Sequence, residues 1–356
     1  MLIIDAHLDI AWNAVQIQRD VTLSAHDMRR QESGRDEPNC GVATVGLPDL
    51  RRGRVAVVVG TVFGRCSGRP VRNVDFHTPQ HCHAICWGQV EYYRALDRAQ
   101  RIKLITTAES LQRHMATWRR WEAAGASGER PLTGVIISLE GVDPVVDPQE
   151  LHAWHDAGVR LVGLAHYGRG RYAGGTGSSH ALTDRGRELL EVMGECGMAL
   201  DVSHTSDASF DEATARFSGR MFASHNNCRV LVPHQRQLAD DQIQTLIDRD
   251  GVIGTAFDCW MLRADWSKSD GNAGITLEHV ANHIDHICQL AGNSRHAAIG
   301  SDLDGGFDQE QSPADVDTIA DLQKLVGILL GRGHSDDDVA AILHGNWERL
   351  LSDVLP

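Results

Sequence analysis

Leu2-Ile3-Ile4-Asp5-Ala6-His7-Leu8-Asp9 opens the chain, and its reading decides the fold. An apolar run with little alternation suits a strand of a parallel sheet, buried on both faces. This run closes on a histidine and an aspartate two residues apart. Residues i and i+2 of a strand project to the same side, so His7 and Asp9 can both reach inward. The stretch is nothing like the glycine-rich loop that a doubly wound dinucleotide fold places after its first strand.

Working outward, the pattern recurs. Short apolar runs lie at 2–10, 55–63, 135–139, 161–165, 199–202, 221–223, 252–257 and 297–299. Between them are amphipathic segments such as 182–196, 240–249 and 277–290, with Thr183-Asp184 and Ala239-Asp240 as helix starts for two. Strand–helix alternation predicts a parallel sheet, and eight such strands predict an α/β protein of the (β/α)₈ TIM-type barrel class. The run at 102–106 reads as a short extra strand leading into the helix that holds Leu111 and Met115. No low-complexity stretch or linker interrupts the 356 residues, and barrels commonly reach this length as one domain. Residues 1–356 are therefore expected to form a single barrel domain with loop insertions on its C-terminal face.

Composition narrows the function classes. A 42% apolar and 23% charged chain with 35 glycines is an ordinary globular protein with many tight turns. A net charge of −14 argues against nucleic acid or an anionic membrane as partner, since both would repel it. The eight cysteines are scattered, several in apolar runs, and read as reduced thiols. The start of the chain lacks a basic segment and an apolar stretch of signal-peptide length, and no run approaches the roughly 18 apolar residues of a membrane span. A cytoplasmic location is the expectation.

The informative residues are those that end the strands. After His7-Leu8-Asp9 come Ser138-Leu139-Glu140-Gly141, Ala165-His166-Tyr167, Ser203-His204-Thr205, Ser224-His225-Asn226 and Ser301-Asp302-Leu303-Asp304. In a barrel these tips converge on one face, where barrel active sites are built. Singly, each has a plainer reading: a capped turn at His7-Leu8-Asp9, a solvated loop residue at Glu140, or histidines bonded to neighbouring serines at 204 and 225. Asp302 and Asp304 could likewise be turn formers before Gly305-Gly306. Six such tips together point instead to metal or acid–base chemistry. Imidazole nitrogen and carboxylate oxygen are the mixed ligands of zinc and similar ions. Three histidines and three carboxylates are too many for one tetrahedral zinc but suffice for two ions sharing a carboxylate. Two ions about 3.5–4 Å apart can hold a hydroxide between them and lower its pKa.

Two further groups stand out. His77, His81, Cys82, His83 and Cys86 are dense but fit no strong finger pattern, and Cys82 and Cys86 lie one helical turn apart as core residues do. Trp118 and Trp121 with Arg119 and Arg120 read as an amphipathic helix.

On these residues the sequence resembles the membrane (renal) dipeptidase family, a branch of the metal-dependent amidohydrolase superfamily. The resemblance covers nearly the whole chain. It rests on the strand ends quoted above and on Asp201-Val202-Ser203-His204, Arg236-Gln237-Leu238-Ala239-Asp240-Asp241 and Gly251-Val252-Ile253-Gly254. It implies that His7 and Asp9 bind a first metal, His204 and His225 a second, and that Glu140 bridges them. Asp302, close to the first metal and counted with the metal-binding residues, would shuttle a proton from the bridging hydroxide to the leaving amine. His166 would hydrogen-bond the developing oxyanion, and Arg236 would meet the tetrahedral centre or the substrate carboxylate. Many relatives in the wider superfamily bridge with a modified lysine; no lysine stands at that strand end here. This chain has Ala6 and Leu8 where the family often has Gly and Asn. Its 258–262 segment, Asp-Cys-Trp-Met-Leu, differs from the Tyr/Pro-rich stretch of typical members.

The implied activity is hydrolysis of a small dipeptide, family members often tolerating a D-residue on the C-terminal side, with two divalent ions, zinc expected, as cofactors. Another small amide, such as an N-acyl amino acid or lactam, is the alternative substrate. A non-catalytic metal-binding barrel is the alternative class, and it leaves Asp302 and His166 without a purpose. The resemblance also allows a homodimer, which nothing in the sequence derives.

Overall fold

The computed structural model describes residues 1–35 and 40–356. Among these residues nine strands form one sheet: β1 (Ile3–Leu8), β2 (Val55–Phe63), β3 (Lys103–Leu104), β4 (Gly134–Glu140), β5 (Val159–Gly163), β6 (Ala199–Asp201), β7 (Met221–Phe222), β8 (Ile253–Thr255) and β9 (Ala297–Ile299). Eight of them run in the order β7-β6-β5-β4-β2-β1-β9-β8, with β3 paired to β4 off that path. Every ladder is parallel. The ring closes just past β7, where Ala223 bridges Ile253. There the Ala223 N–H donates to Val252 O (3.0 Å) and the Gly254 N–H to Ala223 O (2.8 Å). The result is the expected eight-stranded barrel, with 102–106 contributing the short spur β3.

Alternate strand residues serve two packing layers. Leu2, Ile4, Val59, Ile136, Leu161 and Phe222 share one apolar cluster with Trp347, while Ile3, Val58, Val62, Ile137, Leu139 and Val162 belong to another. Such strands are apolar on both sides because both sides are covered. Each fully buried large side chain contributes roughly 1.5–3 kcal/mol through removal of apolar area from water. Trp347, on the helix Asn346–Val354, packs edge-on to Phe222 (ring centroids 5.7 Å) and donates its indole N–H to Ile299 O (2.8 Å).

The connecting helices start where the sequence places caps. Thr183 accepts from the Gly186 N–H (3.1 Å) to start Asp184–Glu195, and Thr78 accepts from the His81 N–H (3.1 Å) to start Pro79–Arg98. That second helix buries Cys82 and Cys86 on one face, as their spacing suggests. The histidines beside them diverge: His77 is exposed, and His83 stacks on Trp87 with its Nδ1 against Pro144 O (3.0 Å). Trp118 and Trp121 sit on the buried face of Ala108–Ala123. Two strand ends differ from the sequence reading. β1 stops at Leu8 and Ile10 begins a helix, whereas β5 spans Val159–Gly163 because its ladder with β6 ends at Gly163 and Asp201. No described helix is long and apolar enough to cross a membrane.

Candidate metal centre

The strand ends deliver their polar residues to one place. Glu140 is the last residue of β4, and its Oε1 lies 3.5 Å from His7 Nε2, 3.4 Å from His204 Nε2, 3.7 Å from His225 Nε2 and 3.6 Å from His166 Nε2. Asp302 Oδ1 is 3.7 Å from His7 Nε2. Asp9 caps the helix Ile10–Val15 in position only: its side chain accepts no backbone N–H there and takes the Thr61 hydroxyl instead. Its carboxylate thereby joins His7 and Glu140. Three sets of residues bring ligand atoms within 4.8 Å of one another: His7, Asp9 and Glu140; Glu140, His204 and His225; and His7, His225 and Asp302. Glu140 is common to the first two.

Local backbone and hydroxyl groups aim these side chains. His204 (φ 62°) and Asp302 (φ 60°) hold left-handed backbone, a costly conformation for residues with a Cβ and one found where a site over-determines it. Gly305 is required beside Asp302, because a Cβ there would lie 1.9 Å from Asp302 Oδ1. Ser224 Oγ contacts His225 Nδ1 (2.7 Å) and His7 Nδ1 (3.3 Å), and Thr176 Oγ1 contacts His204 Nδ1 (3.0 Å). With Nδ1 engaged, each ring turns Nε2 toward Glu140, the arrangement by which outer hydrogen bonds orient metal-binding imidazoles. His7 Nε2 and His225 Nε2 are buried and have no hydrogen-bond partner among the described residues.

The electrostatics fit a cation. Asp9, Glu140 and Asp302 are crowded together in a dry site, and burial makes their charges costly. Burial and the neighbouring carboxylates push Asp9 up to about 7 and Asp302 well above the usual range. Burial opposes charge on His7, yet Glu140, Asp302 and Asp9 outweigh it and raise His7 to about 10. Burial also opposes charge on Glu140, and the facing histidines overcome this to hold it well below the ordinary carboxylate range. His204 and His225 are held neutral by burial and by nearby positive groups, and burial brings His166 down to about 3. A divalent ion needs neutral imidazoles and ionised carboxylates, so its binding would displace the protons that the crowded site otherwise keeps on His7, Asp9 and Asp302.

Arg236 is buried, 3% exposed. Its Nη2 donates to His225 O (2.8 Å) and lies 3.2 Å from His204 Nε2, while Nε and Nη1 are buried without a partner among the described residues. Two open lobes meet at Glu140, His166 and Gly305-Gly306: one of about 670 Å³ beside Trp12, Phe63 and Arg72, the other of about 350 Å³ beside Arg236, Asp258 and Trp260.

Of the supporting residues, the sequence reading offered a serine bonded to His225, which is Ser224, and missed Thr61 and Thr176. Thr61, Thr176 and Ser224 orient Asp9, His204 and His225. A threonine inside the apolar run 55–63 was the available sign for Thr61; Thr176 left none. Asp304 belongs to the frame: it accepts from the Thr44 N–H (2.8 Å) and Val45 N–H (2.9 Å) and pairs with Arg19 at 3.5 Å.

Comparison with known proteins now decides the lineage. A profile described as "Membrane dipeptidase (Peptidase family M19)" matches residues 1–355. The chain belongs to the membrane dipeptidase family. Among curated members, dipeptidase tcpJ of Claviceps purpurea is 28% identical over 322 residues, covering 87% of this chain and 69% of its own. An uncharacterised protein of Klebsiella pneumoniae is 27% identical over 281 residues, covering 76% and 96%. Two solved structures share the fold at low identity. The dipeptidase AC superposes with a TM-score of 0.77 at 22% identity, covering 100% of this chain and 99% of its own. A metallopeptidase from Rhodobacter sphaeroides, liganded with a phosphinate mimic of L-Ala-D-Ala, gives 0.76 at 21%, with 99% of each chain covered. Membership in this metallopeptidase family, together with the three histidine–carboxylate sets, establishes dependence on divalent metal.

Proposed function

We propose that this protein is a binuclear metal-dependent dipeptidase that hydrolyses the amide bond of small dipeptides, including those with a C-terminal D-residue. The observation that carries the reading is the sharing of Glu140 between two ligand sets, His7 and Asp9 on one side and His204 and His225 on the other. In this reading the first pair would hold one ion and the second pair another, with Glu140 available to both. Mixed nitrogen and oxygen donors suit zinc. Two such ions supply Lewis acidity toward the substrate carbonyl and lower the pKa of bound water toward neutrality.

The chain's own groups do the rest. Asp302, at the edge of the cluster with His7 3.7 Å away, accepts the proton of the attacking water and returns it to the leaving amine. His166 faces the same cleft and donates a hydrogen bond to the oxygen that gains charge. Arg236 offers the idle N–H donors of Nε and Nη1 to substrate oxygens, and its bonds to His225 and the His204 side hold the fork still. The D-residue tolerance is supported by the L-Ala-D-Ala mimic bound to the Rhodobacter sphaeroides relative.

The test is zinc-loaded protein assayed on L,L- and L,D-dipeptides beside N-acyl amino acids, with metal content measured. Turnover confined to dipeptides at two ions per chain is expected. Turnover confined to acylated amino acids would replace the substrate assignment, and a metal-loaded protein that turns over nothing would replace the enzyme by a binding barrel.

A further inference from the structure

We infer that the preferred substrates are dipeptides carrying an acidic side chain, and that Arg72, assisted by Arg35, selects them. This rests on the dipeptidase reading above.

Both arginines line the 670 Å³ lobe that reaches Glu140 and His166. Several exposed arginines of this acidic protein have carboxylate partners, such as Arg98 with Glu91 (2.6 Å) and Arg295 with Asp250 (2.9 Å), whereas Arg69, Arg101, Arg120, Arg169 and Arg185 have none among the described residues. Arg72 and Arg35 have none among the described residues, although the net charge is −14. The carboxylates on that side of the cleft, Asp9 and Glu140, are committed to cations in the proposed reading. Among the described residues, the charge left facing the lobe is therefore that of the two guanidiniums.

The turn that carries Arg72 is anchored. The next residue, Asn73, has φ 65°, and its carbonyl accepts two side-chain donors from the first barrel helix, Trp12 Nε1 (2.9 Å) and Gln16 Nε2 (2.8 Å). Val71 and Asp75 exchange backbone hydrogen bonds across the turn, the Asp75 N–H to Val71 O at 2.8 Å and the Val71 N–H to Asp75 O at 3.1 Å. A solvated surface arginine needs no such support. An arginine presented from a pinned turn, above the apolar walls of Trp12 and Phe63, is preorganised to take a carboxylate with two parallel N–H bonds. A side-chain carboxylate on a short methylene stem matches that lobe: the stem lies on the aromatic walls and the charge on the fork.

The test uses matched pairs that differ only in charge, Asp against Asn and Glu against Gln, at either position of an otherwise fixed dipeptide. The full-length zinc-loaded enzyme is expected to favour the acidic member by at least about tenfold in kcat/KM, and Arg72→Gln is expected to collapse that ratio toward one. Calorimetric binding of the same pairs to protein with Asp302→Asn, which slows turnover, gives a second reading of the ratio, and Arg35→Gln a second variant. Equal binding and equal kcat/KM for acid and amide would overturn the inference, as would an Arg72→Gln protein that lowers both members alike. Failure to hydrolyse any dipeptide, with the binding preference intact and dependent on Arg72, would count against the dipeptidase reading and leave the acidic-ligand site standing.

Discussion

Asp5 and Asp201 make the same latch at two different seams of the barrel. Asp201 Oδ1 accepts the Ser203 N–H and, across the seam between β6 and β7, the Ser224 N–H, both at 3.0 Å. Asp5 Oδ1 accepts the His7 N–H (3.1 Å) and, across the seam between β1 and β9, the Ser301 N–H (2.9 Å). Each carboxylate therefore ties together two strand ends that carry candidate ligands: His204 and His225 in one case, His7 and Asp302 in the other. Removing a latch leaves two buried N–H groups unsatisfied. Asp201→Ala is expected to cost about 2–5 kcal/mol and to lower metal content, whereas Asp201→Asn, which keeps an acceptor oxygen, costs less. Urea midpoints and elemental analysis check this; an alanine variant as stable as the parent would show that the latch carries no weight.

Glu140→Gln tests the bridge. An amide keeps the volume but removes the charge, and its nitrogen cannot face a cation. Metal content is expected to fall to one ion or none per chain. Two ions retained in the purified variant would contradict the shared-carboxylate reading.

The barrel was legible because its strands are buried on both sides, so that apolar runs stand out and their polar ends are conspicuous. His7, Glu140, His204, His225 and Asp302 were visible as candidates for that reason, and the structure brings them within a few ångströms. What decides between a ligand and a frame residue was not visible. Asp302 and Asp304 look alike in sequence, yet Asp304 turns away to Thr44, 260 positions distant, and joins the Arg19 network. The burial of Arg236 depends on its loop folding back, with Cys228 beside Leu238 and Asn226 Nδ2 donating to Arg236 O (3.0 Å). The Arg72 lobe is assembled from loops whose relation only tertiary contacts define.

Asp302→Asn tests the proton shuttle. The variant is expected to bind metal normally and to lose about 10²–10⁴-fold in kcat, the usual contribution of a positioned acid–base group. Gly305→Ala should give a related loss without touching any titratable group, since its Cβ would force Asp302 out of place. Retained turnover in both would remove Asp302 from the chemistry. A loss in Asp302→Asn accompanied by loss of metal would move it into the ligand set.

Asp258 tests how far the cleft is closed to water. It lies in the segment after β8, caps Cys259–Leu262 and accepts from Gln311 Nε2 (2.7 Å). Burial pushes its carboxyl up to about 7, against the pull of the hydrogen bonds from Gln311 and Trp260. The unfolded chain releases this proton near pH 4, while the folded protein keeps it to about pH 7. Stability from this group is therefore fully present below about pH 4, declines as pH rises to about 7, and is flat above, a total of at most about 4 kcal/mol. Asp258→Asn keeps the acceptor oxygen and removes the titration. Its stability relative to the parent should improve between pH 4.5 and pH 8, measured by urea unfolding at each. Contributions that do not titrate cancel in that comparison, so a difference that stays constant with pH would mean the carboxyl is solvated and ionised throughout.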